Sequence, residues 1–489
     1  MDTAITNPLT KAKKQKEILS SPVFDSRIHS ERVTGREKWL GYFLGPISVS
    51  LLNGILSSYL NVYYTDVIDI AGIWGGLFLS AFPIISKIID AITFVLMGRI
   101  VDRTVSRQGK ARPWILFSSP VLILSMVLLF AVPAGNDWLR AIWIFLSYNL
   151  FYSIGYTAYS TSHTLLVPLS TKNEADRSSL SLVTNSLGML SGTFLAILFP
   201  CFLVPAMGVN RSSWMTVITA IVLVCCPLLL MEYYYTKERV THEEAKENVH
   251  ETAEKQKKLL TLKEQLLCCI KSRSWIIIMI YMLVMQLFSA LSSSSIFYYC
   301  NWVLGSYNDG FTQALYYGLG NAPLGLGVFL CRPICRKLGR RNAMMYGFLL
   351  AAVGCLLCVG SPRSLPLVLA GQLIKAVGLI PSAYMVTTLL ADALDDVEEK
   401  SGQRCDGFSS SVFNIITTVS AGVALCVFNL FLTRLGYRAP GTGILPVQNG
   451  GVQGFFIFSA LGSQVLCYGI LAVLMFFSPD TKSASVRRK

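Results

Sequence analysis

The sequence predicts an all-α integral membrane protein with about twelve transmembrane helices. The 489 residues are 53% hydrophobic and only 14% charged, whereas soluble chains carry about a quarter charged residues. The apolar residues also form unbroken runs, such as 113–133, 213–230 and 454–477, each near the ~20 residues that cross a bilayer as a helix. These runs do not alternate as barrel strands do, so helices are expected to satisfy the backbone in lipid.

Twelve apolar spans can be placed along the chain, and their number returns both termini to one side of the membrane. They lie at 39–64, 71–101, 113–133, 140–168, 179–205, 212–233, 274–302, 310–334, 343–361, 364–394, 407–433 and 453–478. The segment before the first span holds eight Lys or Arg, and the basic clusters 103–112 and 336–341 fall on the same side. The positive-inside rule therefore predicts a multi-pass protein of the cell membrane with both termini cytoplasmic.

The same pattern predicts the domain organisation. We expect a cytoplasmic arm at 1–38, an N-terminal six-helix half at 39–233, a cytoplasmic linker at 234–273, a C-terminal six-helix half at 274–478 and a cytoplasmic tail at 479–489. The linker is rich in Glu and Lys and is too polar to cross a membrane.

The formal net charge of +14 could suggest a nucleic-acid partner. The basic residues lie in loops between apolar spans, however, so the charge reflects topology. HExxH, GxSxG and Walker motifs are absent, which argues against an enzyme or an ATP-driven pump. The thirteen cysteines lie mostly within apolar runs, and we interpret them as helix-packing residues rather than metal ligands. The expected partners are lipid and a small solute, and the chain is expected to act as a monomer.

Four spans, the first, fourth, seventh and tenth, are unusually polar. Buried polar groups in a membrane need partners or a water-filled cavity. On the fourth span the polar residues recur every three or four positions and share one helical face. The alternative is that Ser and Thr only mediate helix packing. The candidate cavity residues on these spans include Ser50, Asn53, Ser153, Tyr156, Thr157, Ser160 and Tyr384.

Charged residues inside spans are rarer. Lys87 and Asp90 are three residues apart on the second span and can pair along one face. A membrane-buried Asp is costly unless it is paired, coordinates a cation or takes up a proton. Asp90 is therefore a candidate coupling residue with Lys87, although a structural ion pair remains the alternative. His163, at the end of the fourth span, is a candidate proton carrier or an interfacial hydrogen-bonding group.

A basic loop follows the second span at 98–110 and returns after the eighth span at Arg332 and 336–341. Two six-helix halves in parallel orientation are the arrangement of the major facilitator fold. In that fold, the first, fourth, seventh and tenth helices line the central cavity.

Several motifs carry a closer resemblance. The segment 63–67 (YYTDV) closes the first span, Asp90-Ala91 and Met97-Gly98 lie in the second, and 102–116 (DRTVSRQGKARPWIL) follows it. Together with 166–168 and with Lys400 followed by 402–405, they resemble the glycoside–pentoside–hexuronide:cation symporters, the group of the melibiose and glucuronide permeases. The likeness extends over about 41–477.

The resemblance implies a transporter that couples a sugar or glycoside to Na⁺, Li⁺ or H⁺. Asp90 matches the family's first cation-site carboxylate, Thr157 a cation-site threonine and Lys400 a lysine near the eleventh helix. The sequence departs from the family at Phe94 (second cation carboxylate), at Ser50 and Ser160 (sugar-binding Asp) and at Asn185 (arginine of the fifth helix). Asn185 and Lys400 are therefore also candidate solute-binding residues.

These departures have physical consequences. Asp90 and Thr157 alone make a poor Na⁺ cage, whereas a single buried carboxylate suits a proton, so H⁺ is favoured over Na⁺ and no cofactor is expected. Losing the sugar-binding carboxylates favours an acidic, uronide-like sugar or a solute that is not a sugar. The leading hypothesis is a cation symporter with alternating access. The alternatives are an uncoupled facilitator of a non-sugar solute and a transporter-like sensor.

The basic loop after the second span is the candidate gate. Alternating access requires contacts that form and break in each cycle. We expect ion pairs between this loop and neighbouring cytoplasmic helix ends, made by Asp102, Arg103, Arg107, Lys110 and Arg112.

Overall fold

The structure is a computed structural model, which describes residues 24–70, 72–104, 106, 108–171, 173, 176–177, 179–180, 183–184, 192, 194–239, 262–401, 406–440 and 445–477. Within these ranges the regular structure is entirely helical. The all-α fold class predicted from the sequence is confirmed.

Six helices, α1 to α6, come from the N-terminal half. They are α1 (Glu37–Val67), α2 (Leu77–Arg103), α3 (Arg112–Phe130), α4 (Asp137–Asn149, Leu150–Tyr156 and Thr157–Ser170 in continuity), α5 (Phe194–Leu203 with Val204–Met207) and α6 (Arg211–Tyr234).

A short helix (Leu262–Ile270) precedes six more helices in the C-terminal half. They are α7 (Arg273–Leu304), α8 (Gly310–Leu338), α9 (Arg340–Gly360), α10 (Leu365–Ser401), α11 (Asp406–Arg434) and α12 (Gly450–Phe477). Over the described part of the chain, nine of these helices are long and apolar enough to cross a membrane. The remaining three, α4, α5 and α8, coincide with predicted spans.

Polar caps define where several helices begin. The Asn136 side chain accepts a hydrogen bond from Leu139 N at the start of α4, and Ser272 accepts one from Trp275 N at the start of α7. Asn210, Asp309 and Asn449 cap α6, α8 and α12 in the same way. Each cap binds a backbone N–H that has no partner within its own helix.

The chain forms two compact units. The first consists of Met1–Leu60, Ile88–Leu195 and Asn210–Lys257, and the second of Asn61–Lys87, Ala196–Val209 and Lys258–Lys489, counting only their described residues. The second unit therefore includes the end of α1, the start of α2 and α5 from Ala196 onward. The domain boundaries expected from the sequence stay a prediction.

In the first unit, the segment 24–36, which we call the N-terminal arm, folds against the chain just after α6. Arg27 N donates to Tyr234 O at 2.9 Å, and Ser26 Oγ donates to Thr236 O at 2.8 Å. Directly after the arm, Glu37 forms a 2.7 Å ion pair with Arg239. The N-terminal arm and the start of the linker are thus held together within this unit.

Glycines allow close helix contacts in each unit. A Cβ on Gly45 of α1 would lie 2.5 Å from Glu232 Cβ of α6, and a Cβ on Gly354 of α9 would lie 2.6 Å from Gly371 O of α10. Any larger residue would push these helices apart. Small residues at membrane helix contacts are expected because they let backbones approach.

Candidate functional site

Asp90 is buried in the first unit, with a relative exposure of 3%. Ser153 Oγ on α4 donates to Asp90 Oδ1 at 2.6 Å, and the same hydroxyl lies 3.0 Å from Asn149 Oδ1. The contact joins α2 to the polar face of α4. The structure therefore places Asp90 against the helix whose polar pattern predicted a cavity wall.

The part of α4 that meets Asp90 is a π-helix over Leu150–Tyr156. Thr157 Oγ1 donates to Tyr152 O at 2.8 Å and so binds a carbonyl of this segment. Single π-helical turns inside α-helices occur frequently at functional sites. The hydroxyl of Thr157, predicted for the cation site, stabilises the irregular turn.

The other predicted solute-binding residues lie in several places. Ser50, Asn53, Tyr156 and Ser160 are half-buried on α1 and α4 of the first unit. Tyr384 is half-buried on α10, where its hydroxyl donates to Leu324 O at 2.6 Å. Asn185 lies outside the described residues.

Lys87 and Lys400 have different surroundings. Lys87 is half-buried in the second unit, where a Cβ on Gly422 of α11 would lie 3.0 Å from Lys87 Cγ. Lys400 is exposed at the end of α10 and pairs with Asp396 at 2.7 Å. It lies sixteen residues beyond Tyr384 in one helix, about 24 Å along its axis. The ion pair of Lys400 thus lies within the last turns of α10, away from Tyr384 in the middle of the helix.

A second buried carboxylate, which the sequence did not single out, belongs to Glu232 in the last turn of α6. Glu232 is fully buried. Its Oε1 lies 2.6 Å from His163 Nδ1, and its Oε2 accepts a hydrogen bond from Tyr159 OH at 2.5 Å. The rings of Tyr159 and His163, one turn apart on α4, stack with centroids 5.5 Å apart. We call these three residues the Glu232 cluster.

A third carboxylate lies at the end of α1 that is predicted to face outward. Asp66 is 4% exposed within the second unit. Its Oδ1 accepts hydrogen bonds from Thr65 Oγ1 at 2.8 Å and Tyr437 OH at 2.9 Å, and its Oδ2 accepts one from Tyr307 OH at 3.2 Å. Tyr298 OH lies 2.7 Å from Thr65 Oγ1. These five residues form the Asp66 cluster, which joins the end of α1 to the C-terminal half.

Two further hydrogen bonds of the second unit lie between the same parts of the chain. Asn429 Nδ2 on α11 donates to Leu79 O on α2 at 2.9 Å. Asn308 Nδ2 donates to Pro205 O on α5 at 3.2 Å. Segments from α1, α2 and α5 are therefore all bound to the C-terminal half within this unit.

The predicted gate loop after α2 is held by a residue that the sequence analysis missed. The carboxylate of Glu238 accepts three backbone hydrogen bonds, each 2.9 Å long, from the N–H groups of Lys110, Ala111 and Arg112. Gly109 precedes them with φ +104°, a conformation that other residues rarely adopt. These bonds anchor the loop at the N-terminus of α3, where an anion is favourable.

Arg112 binds within the same unit. Its Nη2 donates to Tyr233 O at 2.9 Å, and its guanidinium lies 4.7 Å from the centre of the Tyr233 ring. Arg103 is exposed. Arg107 and the side chain of Asp102 lie outside the described residues. The contacts described for Lys110 and Arg112 are hydrogen bonds inside one unit, where they are suited to brace that unit. The ion pairs expected for this loop stay a prediction.

The equivalent loop of the C-terminal half repeats this arrangement. Arg341, near the start of α9, donates from Nε to Met475 O in the last turn of α12 at 2.9 Å, as Arg112 does from α3 to α6. A guanidinium at a helix C-terminus binds carbonyls that lack partners within the helix. The repeat suggested by the basic loops is thus also present in their contacts.

The second loop also carries an ion pair. Arg340 Nη1 lies 2.9 Å from Asp392 Oδ2 on α10. The charge of Arg340 thus compensates a half-buried carboxylate on α10.

The family model of the MFS/sugar transport proteins matches residues 41–481. The chain belongs to this family. The resemblance to the glycoside–pentoside–hexuronide:cation symporters is thereby confirmed. The protein is a multi-pass membrane transporter of the sugar-transport type and not an enzyme.

Two proteins named as carriers of sugar compounds are similar to this chain. The isoprimeverose transporter of Lactiplantibacillus pentosus is 27% identical over 85% of this chain and 83% of its own. The glucuronide carrier protein homolog of Escherichia coli is 26% identical over 82% of this chain and 84% of its own. Both are therefore similar to this protein over most of their length.

Solved structures share the fold at low identity. The nucleoside transporter NupG superposes with a TM-score of 0.56 at 11% identity, covering 90% of this chain and 98% of that one. A bacterial homologue of human drug peptide transporters gives 0.56 at 11% identity, covering 94% and 100%. This likeness supports the major facilitator fold.

Proposed function

We propose that this protein is a secondary transporter that carries a sugar, glycoside or uronide-like solute together with a proton by alternating access. The isoprimeverose transporter and the glucuronide carrier homolog, to which the chain is similar, support a sugar-like solute. The coupling ion and the mechanism rest on the surroundings of Asp90 and Asp66.

The carboxylate of Asp90 carries the coupling argument. Water barely reaches it, so its charge state depends on neighbouring groups. Ser153 donates to the ionised form at 2.6 Å, and Ser153 belongs to the π-helical segment that carries Tyr156. Gain or loss of a proton at Asp90 therefore changes a hydrogen bond of the helix that is predicted to bind the solute.

The choice of a proton over Na⁺ follows from the side chains at the family's cation site. Phe94 occupies the position of the second carboxylate, and the hydroxyl of Thr157 is hydrogen-bonded to Tyr152 O. A buried carboxyl needs no cage of oxygen ligands to bind a proton.

Alternating access is supported by the Asp66 cluster. Its hydrogen bonds join the end of α1 to residues around α7 and α11, and the bonds of Asn429 and Asn308 add α2 and α5. A solute can pass between these segments only after the bonds break. This end of the second unit is therefore the proposed outer gate, in its closed state.

The solute class follows from two serines. Ser50 and Ser160 stand where the resembling family has sugar-binding Asp residues, and both are half-buried. Removing two negative charges from a solute site lowers the repulsion of an anionic solute. The proposal therefore favours a uronide-like sugar over a neutral galactoside.

The test is uptake by proteoliposomes that contain the full chain, with isoprimeverose and a phenyl glucuronide as probes. We expect an inward proton gradient to drive accumulation of at least one probe and a Na⁺ gradient to have little effect. Asp90→Asn should abolish accumulation while leaving exchange partly intact. Asp137→Asn, at an exposed position in the first turn of α4, is the matched control.

Each part of the proposal can fail separately. Strong, saturable stimulation by Na⁺ would overturn the proton assignment. Normal accumulation by Asp90→Asn would remove its coupling role. Downhill flux of a probe without accumulation under either gradient would identify an uncoupled facilitator instead.

A further inference from the structure

The Glu232 cluster contains a buried acid and a base in direct contact. The side chain of Glu232 is 1% exposed, and that of His163 is 18% exposed. A carboxylate without water needs a compensating positive charge or a proton of its own. The imidazole 2.6 Å away can supply that charge.

The proton between the two groups belongs on the imidazole, because an imidazole is ordinarily more basic than a carboxylate. The hydroxyl of Tyr159 then donates a hydrogen bond to the other oxygen of Glu232 at 2.5 Å. The result is an imidazolium–carboxylate pair with no net charge. Losing one proton from the imidazolium would leave the buried carboxylate in contact with a neutral imidazole and a neutral hydroxyl, without a compensating positive charge.

Other charged and titratable groups around the cluster are already engaged. From α1, Tyr42 lies within electrostatic reach of Glu232, and its hydroxyl is hydrogen-bonded to Leu166 O and Ser170 Oγ. Glu37, also on α1, is paired with Arg239, which follows α6. Tyr156 lies near Tyr159 on α4. His163 is thus the cationic group in contact with Glu232 among the described residues.

The position of the cluster relates it to transport. Tyr159 and His163 follow Tyr156 and Ser160 on α4, and Ser153, which binds Asp90, lies six residues before Tyr159. That separation is about 9 Å along the helix. One helix therefore contacts two buried carboxylates, Asp90 on α2 and Glu232 on α6.

We propose that Tyr159, His163 and Glu232 form a second proton-binding site, which holds one exchangeable proton and releases it when α4 moves relative to α6. On release, an N–H bond of the His163 imidazolium breaks and the proton passes to water. A neutral imidazole and a carboxylate bound by Tyr159 remain. The partly exposed imidazole is the route of exchange. The role of this site in transport rests on the proposed function, whereas its proton can be detected without any transport.

The proton can be observed directly by ¹⁵N NMR of labelled histidine in the full chain. The sequence has four histidines, so replacing His242 and His250 with Gln leaves His163 and the exposed His29, which serves as an internal reference. At a pH where about half of His29 is charged, we expect His163 to carry protons on both ring nitrogens. Glu232→Gln should convert His163 to a singly protonated ring at the same pH.

Matched variants separate the proton site from a structural contact. Tyr159→Phe removes a hydroxyl without removing the ion pair, and Glu232→Asp keeps the negative charge, so both should retain the doubly protonated His163. In His163→Gln, the infrared spectrum should gain the band of one protonated carboxyl group, which Glu232→Gln on the same background should abolish. The infrared measurement reads the site even if one NMR variant folds poorly.

Two results would overturn the inference. One is a singly protonated His163 in the parent chain, and the other is a proton count on His163 that Glu232→Gln leaves unchanged. Uptake of isoprimeverose and the phenyl glucuronide is measured in parallel. Failure of both probes in the parent would defeat the proposed solute class and leave the NMR result standing. Proton-driven uptake by a parent chain whose His163 is singly protonated would refute this second site and leave the proposed function standing.

Discussion

Replacing Tyr437 with phenylalanine removes a hydroxyl that is hydrogen-bonded to Asp66 and keeps the aromatic ring. The hydroxyl donates to Asp66 Oδ1 at 2.9 Å, and the ring packs edge-on to Tyr298 with centroids 5.7 Å apart. The substitution therefore deletes this hydrogen bond, and also the one that Trp302 Nε1 donates to the same hydroxyl at 3.2 Å, with little change in ring packing. The Trp302 bond lies within the C-terminal half, whereas the Asp66 bond joins that half to α1. We expect the end of α1 to separate from the C-terminal half more often.

The expected size follows from the kind of bond. A hydrogen bond to a charged acceptor contributes about 1.5–3 kcal/mol. If the bond is lost when the gate opens, the free energy of opening falls by that amount. The population of the open state then rises roughly 10- to 150-fold, since about 1.4 kcal/mol corresponds to a factor of ten.

Hydrogen–deuterium exchange of peptides from 61–70 measures this opening, because amide exchange follows the population of locally open states. Tyr299→Phe is the matched control, since Tyr299 OH donates to the carbonyl oxygen of Pro362 at 2.6 Å and not to Asp66. We expect exchange at 61–70 to rise about tenfold or more in Tyr437→Phe and to stay at the parental rate in Tyr299→Phe. Equal exchange in both variants would refute the gate assignment.

Three more predictions concern the loops and helix ends. Gly109→Ala places a side chain at a positive-φ position against Glu238. We expect it to lower stability by about 1–3 kcal/mol in thermal unfolding. Gly98→Ala is the control, since a Cβ at that position meets open space, and it should leave stability unchanged. Glu238→Gln weakens the anchor of three backbone N–H groups and should lower the melting temperature while leaving solute affinity near parental, because its contacts stay within one unit. Burial alone would raise the pKa of Asp396, but hydrogen bonds from Lys400 and other neighbours lower it. The resulting contribution to stability is present at neutral pH and disappears as the pH falls through the lowered pKa. Lys400→Gln should therefore flatten the acid side of a plot of stability against pH.

The helices were predictable because hydrophobic length alone specifies a membrane span. Each of α1 to α12 lies at a predicted span, and the shared polar face on α4 identified the helix that contacts Asp90. The similarity of the two basic loops was visible in the sequence, and the contacts of Arg112 and Arg341 give it a structural basis.

The carboxylate clusters were not predictable, because their partners are far apart in the chain. Asp66 was visible within the YYTDV motif, yet its partners Tyr307 and Tyr437 lie 241 and 371 residues away. Glu232 closes an apolar run, where a charge usually marks the membrane interface, and its contact with His163 depends on how α4 and α6 align. A carboxylate flanked by apolar and aromatic residues was the signal that could have identified it.

The gate loop shows a different limit of the sequence. Its basic side chains suggested ion pairs, whereas its backbone N–H groups supply the anchor to Glu238. A backbone donor has no residue signature. Gly109 was the only local hint, because its conformation brings the following N–H groups together.

The N-terminal arm has a consequence for biogenesis. Its hydrogen bonds, such as that from Ser26 to Thr236, join residues 210 positions apart. At roughly 5–20 residues per second of synthesis, the arm leaves the ribosome about 10–40 s before its partner exists. During that interval the basic residues of the arm are available to orient the first helix. The arm can dock only after the segment that follows α6 has been synthesised. The docked arm therefore marks completion of the first unit, and a chain truncated before Arg239 would lack that final step of assembly.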